Sequence, residues 1–255
     1  MLTARVIPCV DVKDGRVVKG VRFRGLRDAG SPPALAVEYE RQGADEIVLL
    51  DVSATNEMRS TRLETVRAVR ERLSLPLTVG GGVRTLLDAG ALLDAGADKV
   101  SVNTAAVKRP ELVSEIAETL GRQCAVLAID AARRAGGGSF EVLVRSGTER
   151  TGLDAVEWAK EGARRGAGEI LLTSFDRDGT REGYDLDLVA AVAKAVTVPV
   201  VASGGAARAE DLLAALRAGA DAVLAASIFH DGEATVGDVK RVLAAAGVAV
   251  RVNGP

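Results

Sequence analysis

The chain has 255 residues, 47% hydrophobic and 27% charged, with a formal net charge of −2. That length fits two average domains or one α/β barrel with ample material for a core, and the near-neutral charge argues against generic nucleic-acid binding. No apolar run approaches the roughly 18 residues of a membrane span, and Met1-Leu2-Thr3-Ala4-Arg5 leads directly into a strand pattern rather than a signal peptide, so the expected location is cytoplasmic.

Short runs rich in Val, Ile and Leu alternate with amphipathic stretches of helical period from end to end, the pattern of βα units around a parallel sheet. The spacing predicts strands over 4–11, 46–51, 76–80, 98–103, 124–130, 168–174, 198–203 and 222–226. Helices fit between them at 32–42, 60–72, 85–95, 109–120, 153–165, 185–196, 208–218 and 234–246. Pro110 suits a helix's first turn, and Gly43, Gly96, Gly121, Gly166, Gly219 and Gly247 stand where a left-handed residue ends a helix. Two connections are longer than a βα link requires. Val12 to Pro33 reads as a basic, glycine-punctuated loop, and Arg133 to Thr151 contains the alternating run Phe140 to Val144, which reads as a small hairpin. Cys9 and Cys124 both fall in apolar strand runs and read as buried thiols. His230 is the only histidine, which leaves almost nothing for a histidine-based metal site or a Ser-His-Asp triad. No metal or cofactor is expected, and the chemistry falls to carboxylates, amides, hydroxyls and lysine.

The two halves repeat. Pro76 to Thr104 falls on Pro199 to Ser227 without a gap at a displacement of 123, with Gly81 on Gly204, Gly82 on Gly205 and Asp88 on Asp211. The same register carries Glu46 onto Glu169 and Leu63 onto Leu186, and a displacement of 119 lays Val6 to Asp11 over Ala125 to Asp130. Two equivalent (β/α)4 halves, about 1–122 and 123–255, predict a single (β/α)8 barrel domain over 1–255. A doubly wound open sheet is the alternative, but it gives no simple reason for Asp and Gly features to recur at equal intervals.

Catalytic groups of a barrel stand at the strand C-termini. There the turns Gly80-Gly81-Gly82, Asn103-Thr104, Ser203-Gly204-Gly205 and Ala225-Ala226-Ser227, with Gly179 after strand six, let backbone N–H groups approach an anion. Each half supplies one cradle, which predicts a substrate phosphorylated at both ends; glycine also serves tight βα links with no ligand at all. Asp11 and Asp130 end strands one and five and are the candidate acid and base, although a lone Asp there can merely cap a turn. Lys19, Asp51, Ser101, Thr173, Asp176 and Asp178 are further polar groups of the same rim, with Lys19 a cation able to close over an anionic substrate. At the other end, Arg5, Glu46, Lys99 and Glu169 stand near strand starts. Parity puts Arg5 on the face of Asp11 and Lys99 on the face of Ser101 and Asn103. The four either close a neutral ring under the barrel or form ordinary surface ion pairs.

These stretches resemble the cyclase subunit of imidazole glycerol phosphate synthase, from histidine biosynthesis, over essentially the whole chain. The resemblance is carried by Arg5 to Gly20, Val79 to Arg84, Ser101 to Thr104, Leu172 to Thr180 and Ser203 to Gly205. It implies a (β/α)8 barrel that takes ammonia from a glutaminase partner and converts PRFAR, which carries a ribulose phosphate and a ribose phosphate, into imidazole glycerol phosphate and AICAR. By the same resemblance Asp11 and Asp130 are catalytic and Lys19 is the loop lysine. Arg5, Glu46, Lys99 and Glu169 form an ammonia gate beneath a partner docked on the strand N-terminal face, and Asp98, beside the gate, is a candidate interface residue. The sibling sugar-phosphate isomerase, one step earlier in the pathway, shares the duplicated barrel and the aspartate pair but needs no ammonia entrance. A barrel kept only as a binding scaffold would not need the aspartates.

Overall fold

The computed structural model describes residues 3–21, 24–54, 57 and 60–251; the side chains of 19–21 and 24–29, including that of Lys19, lie outside the described residues. Strands are β1 (Arg5–Lys13), β2 (Arg16–Val21), β3 (Arg24–Gly30), β4 (Ile47–Asp51), β5 (Leu77–Gly80), β6 (Lys99–Val102), β7 (Ala125–Arg133), β8 (Phe140–Val144), β9 (Glu149–Asp154), β10 (Glu169–Ser174), β11 (Val200–Ser203) and β12 (Ala222–Ala225). Helices are α1 (Pro32–Arg41), α2 (Leu63–Arg70), α3 (Leu86–Asp94), α4 (Thr104–Lys108), α5 (Glu111–Leu120), α6 (Ala155–Arg164), α7 (Leu186–Ala195), α8 (Ala209–Arg217), α9 (Ser227–His230) and α10 (Val236–Ala245).

Eight strands pair in parallel in the order β10, β11, β12, β1, β4, β5, β6, β7, and pairing of β7 with β10 closes the ring. The barrel that the duplication predicts is therefore present. Strand alternation sends one face to the helices and the other into the lumen. Ile7, Cys9, Val48, Val126, Leu171, Val201 and Leu224 form the apolar filling inside. Their neighbours in sequence, such as Val6, Val10, Leu127 and Ile170, pack outward under the helices in a second, larger core. Burying each Ile or Leu stabilises the fold by roughly 1.5–3 kcal/mol. The six glycines expected to end helices all have positive φ.

A recurrent carboxylate ties each second strand to its predecessor. Asp45, Asp98 and Asp221 accept from the backbone N–H of Val6, Leu77 and Val200 at 2.8, 2.8 and 2.9 Å, just before β4, β6 and β12. The fourth equivalent is Gly168, where a side chain would meet the Arg122 carbonyl at 2.1 Å. Asp45 also holds Lys240 of α10 at 2.8 Å, a pair almost wholly buried, which locks the last helix onto the first strand.

Two expectations need correction, and two short helices were not foreseen. Among the described residues, the stretch Val12 to Pro33 is not a loop: β1 runs on to Lys13, turns at Asp14 and Gly15, both with positive φ, and pairs antiparallel with β2, which pairs with β3. Strand pairing across a two-residue turn overrides the polar, glycine-rich composition. Cys124 is buried and free as expected, but it ends a 3-10 turn (Arg122–Cys124) rather than lying in a strand. The short helices α4 and α9, at matching places in the two halves, were missed because four or five residues carry no helical periodicity. The Phe140–Val144 hairpin is present, with β7 extended to Arg133 to pair with it. Among the described residues no helix is long and apolar enough to cross a membrane.

Candidate active site

β1 and β7 stand four strands apart either way round the ring, so Asp11 and Asp130 face each other across the barrel mouth. Both line a cavity of about 550 Å3 at the strand C-termini. Asp11 shares the lumen face with Cys9, whose thiol donates to its Oδ1 at 3.2 Å; Asp130 Oδ2 accepts from Asn103 Nδ2 at 2.9 Å. Burial pushes the Asp11 carboxyl up to about 7, with the Asp178 charge adding to the effect and the Cys9 hydrogen bond opposing it. Burial also pushes Asp130 up to about 7, reinforced by Asp178 and opposed by Asn103. The Cys9 thiol is itself driven well up, by burial and then by the Asp11 carboxylate. Two carboxyls poised near neutrality can each give or take a proton.

The cradles lie on either side of that pair. Gly81 and Gly204 both have positive φ, and a β-carbon on them would stand 2.2 and 2.7 Å from the carbonyl oxygens of Asp51 and Ser174, themselves 123 residues apart. Glycine is thus required by the close approach of each turn to the neighbouring strand, and that steric need holds with or without a ligand. The same turns open onto the cavity: Gly81, Gly82, Asn103 and Thr104 line it in the first half, and Gly179, Gly204, Gly205, Ala226 and Ser227 in the second. The helices after them are held in the same register, since Asp88 accepts from the N–H groups of Arg84 and Thr85, and Asp211 from those of Ala207 and Arg208.

Ser101 and Thr173 line the cavity from the lumen face, Thr173 beside Asp130 in register. Asp178 lines it too, and its charge acts on both catalytic candidates. Asp51 reaches the rim while its Oδ1 accepts from the N–H groups of Ser53 and Ala54 at 3.3 and 3.1 Å. Asp176 departs from expectation. It is not part of the cavity wall, because its Oδ2 accepts from the backbone N–H of Arg133 at 2.8 Å and so ties the loop after β10 to the end of β7. The Arg133 guanidinium extends that clamp to Asp185 and Asp187 at the start of α7. Lys19 is on β2, its side chain outside the described residues.

At the opposite end the four charges form a closed ring. Arg5 bonds Glu46 at 2.8 Å and also Glu169, while Lys99 bonds Glu46 at 2.9 Å and Glu169 at 2.8 Å. Thr78 donates to Glu46 at 2.5 Å. These are therefore not independent surface pairs; both glutamates are buried and each is shared by two cations. Asp98 lies near this end with its carboxylate half exposed, engaged by Arg70 at 2.6 Å as well as by Leu77 N–H.

The sequence reading passed over Cys9 as a plain core thiol, although its place two residues before Asp11 on one strand face was a signal. It also did not single out Arg145, Ser146, Arg181 or His230 among the cavity residues. Arg145 and Ser146 arrive from a hairpin tip whose position is set by pairing with β7, for which no local pattern exists.

Residues 5–235 match the family model described as "Histidine biosynthesis protein". The chain is 55% identical over 255 residues to the imidazole glycerol phosphate synthase subunit HisF of Corynebacterium diphtheriae, covering 98% of this chain and 99% of that one. It is 58% identical over 250 residues to the protein of that name from Streptomyces avermitilis and 56% to that from Streptomyces coelicolor, with the same coverage. The chain belongs to the histidine biosynthesis protein family, within the group of imidazole glycerol phosphate synthase HisF subunits.

Proposed function

We propose that the protein is the ammonia-using cyclase half of a two-subunit lyase, converting PRFAR and ammonia into imidazole glycerol phosphate and AICAR. The observation that carries the reading is the facing pair Asp11 and Asp130, each pushed up to about 7, between two glycine cradles in one cavity. The cradles hold the two phosphates, one per half, which stretches the substrate across the barrel mouth with its ribulose carbonyl between the carboxyls. Ammonia attacks that carbonyl. Asp11 and Asp130 then move protons through imine formation, elimination and ring closure, each able to act as acid or base near neutral pH. The neutral amide of Asn103 holds Asp130 in place, and the Cys9 thiol holds Asp11.

The route for ammonia is the barrel axis. A glutaminase subunit docks on the strand N-terminal face, beside Asp98, and delivers ammonia to the ring of Arg5, Glu46, Lys99 and Glu169. Above that ring the apolar side chains Ile7, Val48, Val126, Leu171 and Val201 fill the lumen. An apolar layer admits neutral ammonia far more readily than ammonium, since burying an unpaired charge there is costly. Lys19 closes over the bound substrate. The barrel is one domain with its active centre assembled from both halves.

Purified protein given PRFAR and ammonium salts at alkaline pH should consume PRFAR without any partner. No turnover, alongside conversion of the substrate of the sibling isomerase, would sink the cyclase reading.

A further inference from the structure

We propose that the tip of the β8–β9 hairpin, Arg145 with Ser146, closes over the first-half cradle as a substrate-phosphate contact, and that the excess of basic side chains around that cradle makes it the end that captures the substrate first. The proposal rests on the functional reading above. Asp130 pairs with Leu143 of β8, so the tip begins two residues beyond a residue fixed to the catalytic strand. Arg145 and Ser146 both take left-handed backbone conformations, φ 54° and 55°, in a turn where Asn, Asp or Gly is favoured. Such conformations persist only where surroundings hold them, and here they do. Arg145 N–H donates to Thr104 Oγ1 at 3.0 Å, Ser146 Oγ donates to the Val52 carbonyl at 3.4 Å, and Thr148 Oγ1 donates to the Arg145 carbonyl at 2.7 Å. Gly147 lies so close to Phe175 that a β-carbon would fall 1.9 Å from the ring. A hairpin from the second half is thereby pinned onto Thr104, a wall of the first-half cradle, with Arg145 and Ser146 both lining the cavity.

The charges break the symmetry of the duplication. Arg84, Lys108 and Arg109 line the cavity with Arg145, whereas the positions 123 residues on are Ala207, Asp231 and Gly232. Arg109 is paired with Glu115, but Lys108 and Arg145 make no ion pair among the described residues. In the second half Arg181 is engaged by Glu233, with Asp231 also beside it. Arg84, Lys108, Arg109 and Arg145 gather at one side of the mouth, and clustered cations raise the local concentration of an anion, so a phosphate dianion is drawn to the first half, and the second cradle closes the substrate's other end afterwards.

Arg145 is exposed, so Arg145→Gln should leave folding intact. One exposed ion contact is worth at most about 1 kcal/mol, so KM for PRFAR should rise by up to about five-fold at low ionic strength. The effect should narrow at high salt, with kcat little changed. Arg181→Gln should move KM less. An unchanged KM at low salt for Arg145→Gln, or an equal rise for Arg181→Gln, would overturn the assignment. Calorimetric titration with inorganic phosphate, which needs no turnover, separates the two proposals. If the wild type failed to use PRFAR while Arg145→Gln bound phosphate more weakly, the cyclase reading alone would fall; equal phosphate binding would sink this one.

Discussion

Asp130→Asn tests the electrostatics and the chemistry of the site together. The amide has the shape of the carboxyl, and its oxygen can accept from Asn103 Nδ2 as Asp130 Oδ2 does now at 2.9 Å. What changes is titration. Burial raises the folded carboxyl from 3.8 to about 7, so between those values the folded chain holds a proton that the unfolded chain has released. Stability contributed by this group is therefore full below 3.8 and is lost as pH rises towards 7. The span from 3.8 to about 7, at about 1.36 kcal/mol per pH unit, sets a ceiling of about 4 kcal/mol. Asp130 is only half-buried and faces a cavity open to water, which reduces the expected gain from Asp130→Asn at pH 8 to about 1–2 kcal/mol. For a chain of this size that is roughly 2–8 °C in Tm. At pH 5 the gain should shrink to less than half. Calorimetric melting at the two pH values, with PRFAR binding and ammonium-driven turnover measured on the same samples, reads all three quantities. Expected is a more stable variant at pH 8 that binds PRFAR and does not turn it over. An equal Tm difference at both pH values would refute the raised carboxyl, and near-normal turnover would refute its acid–base role.

Lys240→Met should lower stability by about 3–5 kcal/mol, because it strands the buried Asp45 carboxylate between β1 and α10; adding Asp45→Asn should recover part of that loss. Chemical denaturation of the single and double variants decides it, and a neutral single variant would remove the lock from the account of the fold. Lys99→Ala opens the charge ring on one side and should abolish glutamine-driven activity in the presence of a glutaminase subunit while ammonium-driven activity persists; unchanged coupling would count against the gate.

The barrel was legible because its evidence is local and periodic. Strand alternation, helix caps and the 123-residue displacement are written in neighbouring residues, and the parity that set Arg5 on the face of Asp11, and Lys99 on that of Ser101, needs only the pleat. Asp51 and Asp176 read alike as carboxylates after a strand, yet one reaches the cavity rim and the other is bound to Arg133 N–H. A carboxylate's partner depends on which distant backbone N–H the fold brings within reach.

The repeat, the eight βα units and the chemical types at each strand end follow from residue order and side-chain period alone. Packing of the whole chain sets which charges share a ring, that two aspartates sit where desolvation raises their carboxyls, and that a hairpin of the second half rests on Thr104 of the first. Those properties are distances between residues far apart in the chain, and the local pattern carries no term for them. The charged ring and the aspartate pair came from one lumen face of one set of strands; their separation by an apolar layer is a consequence of closure.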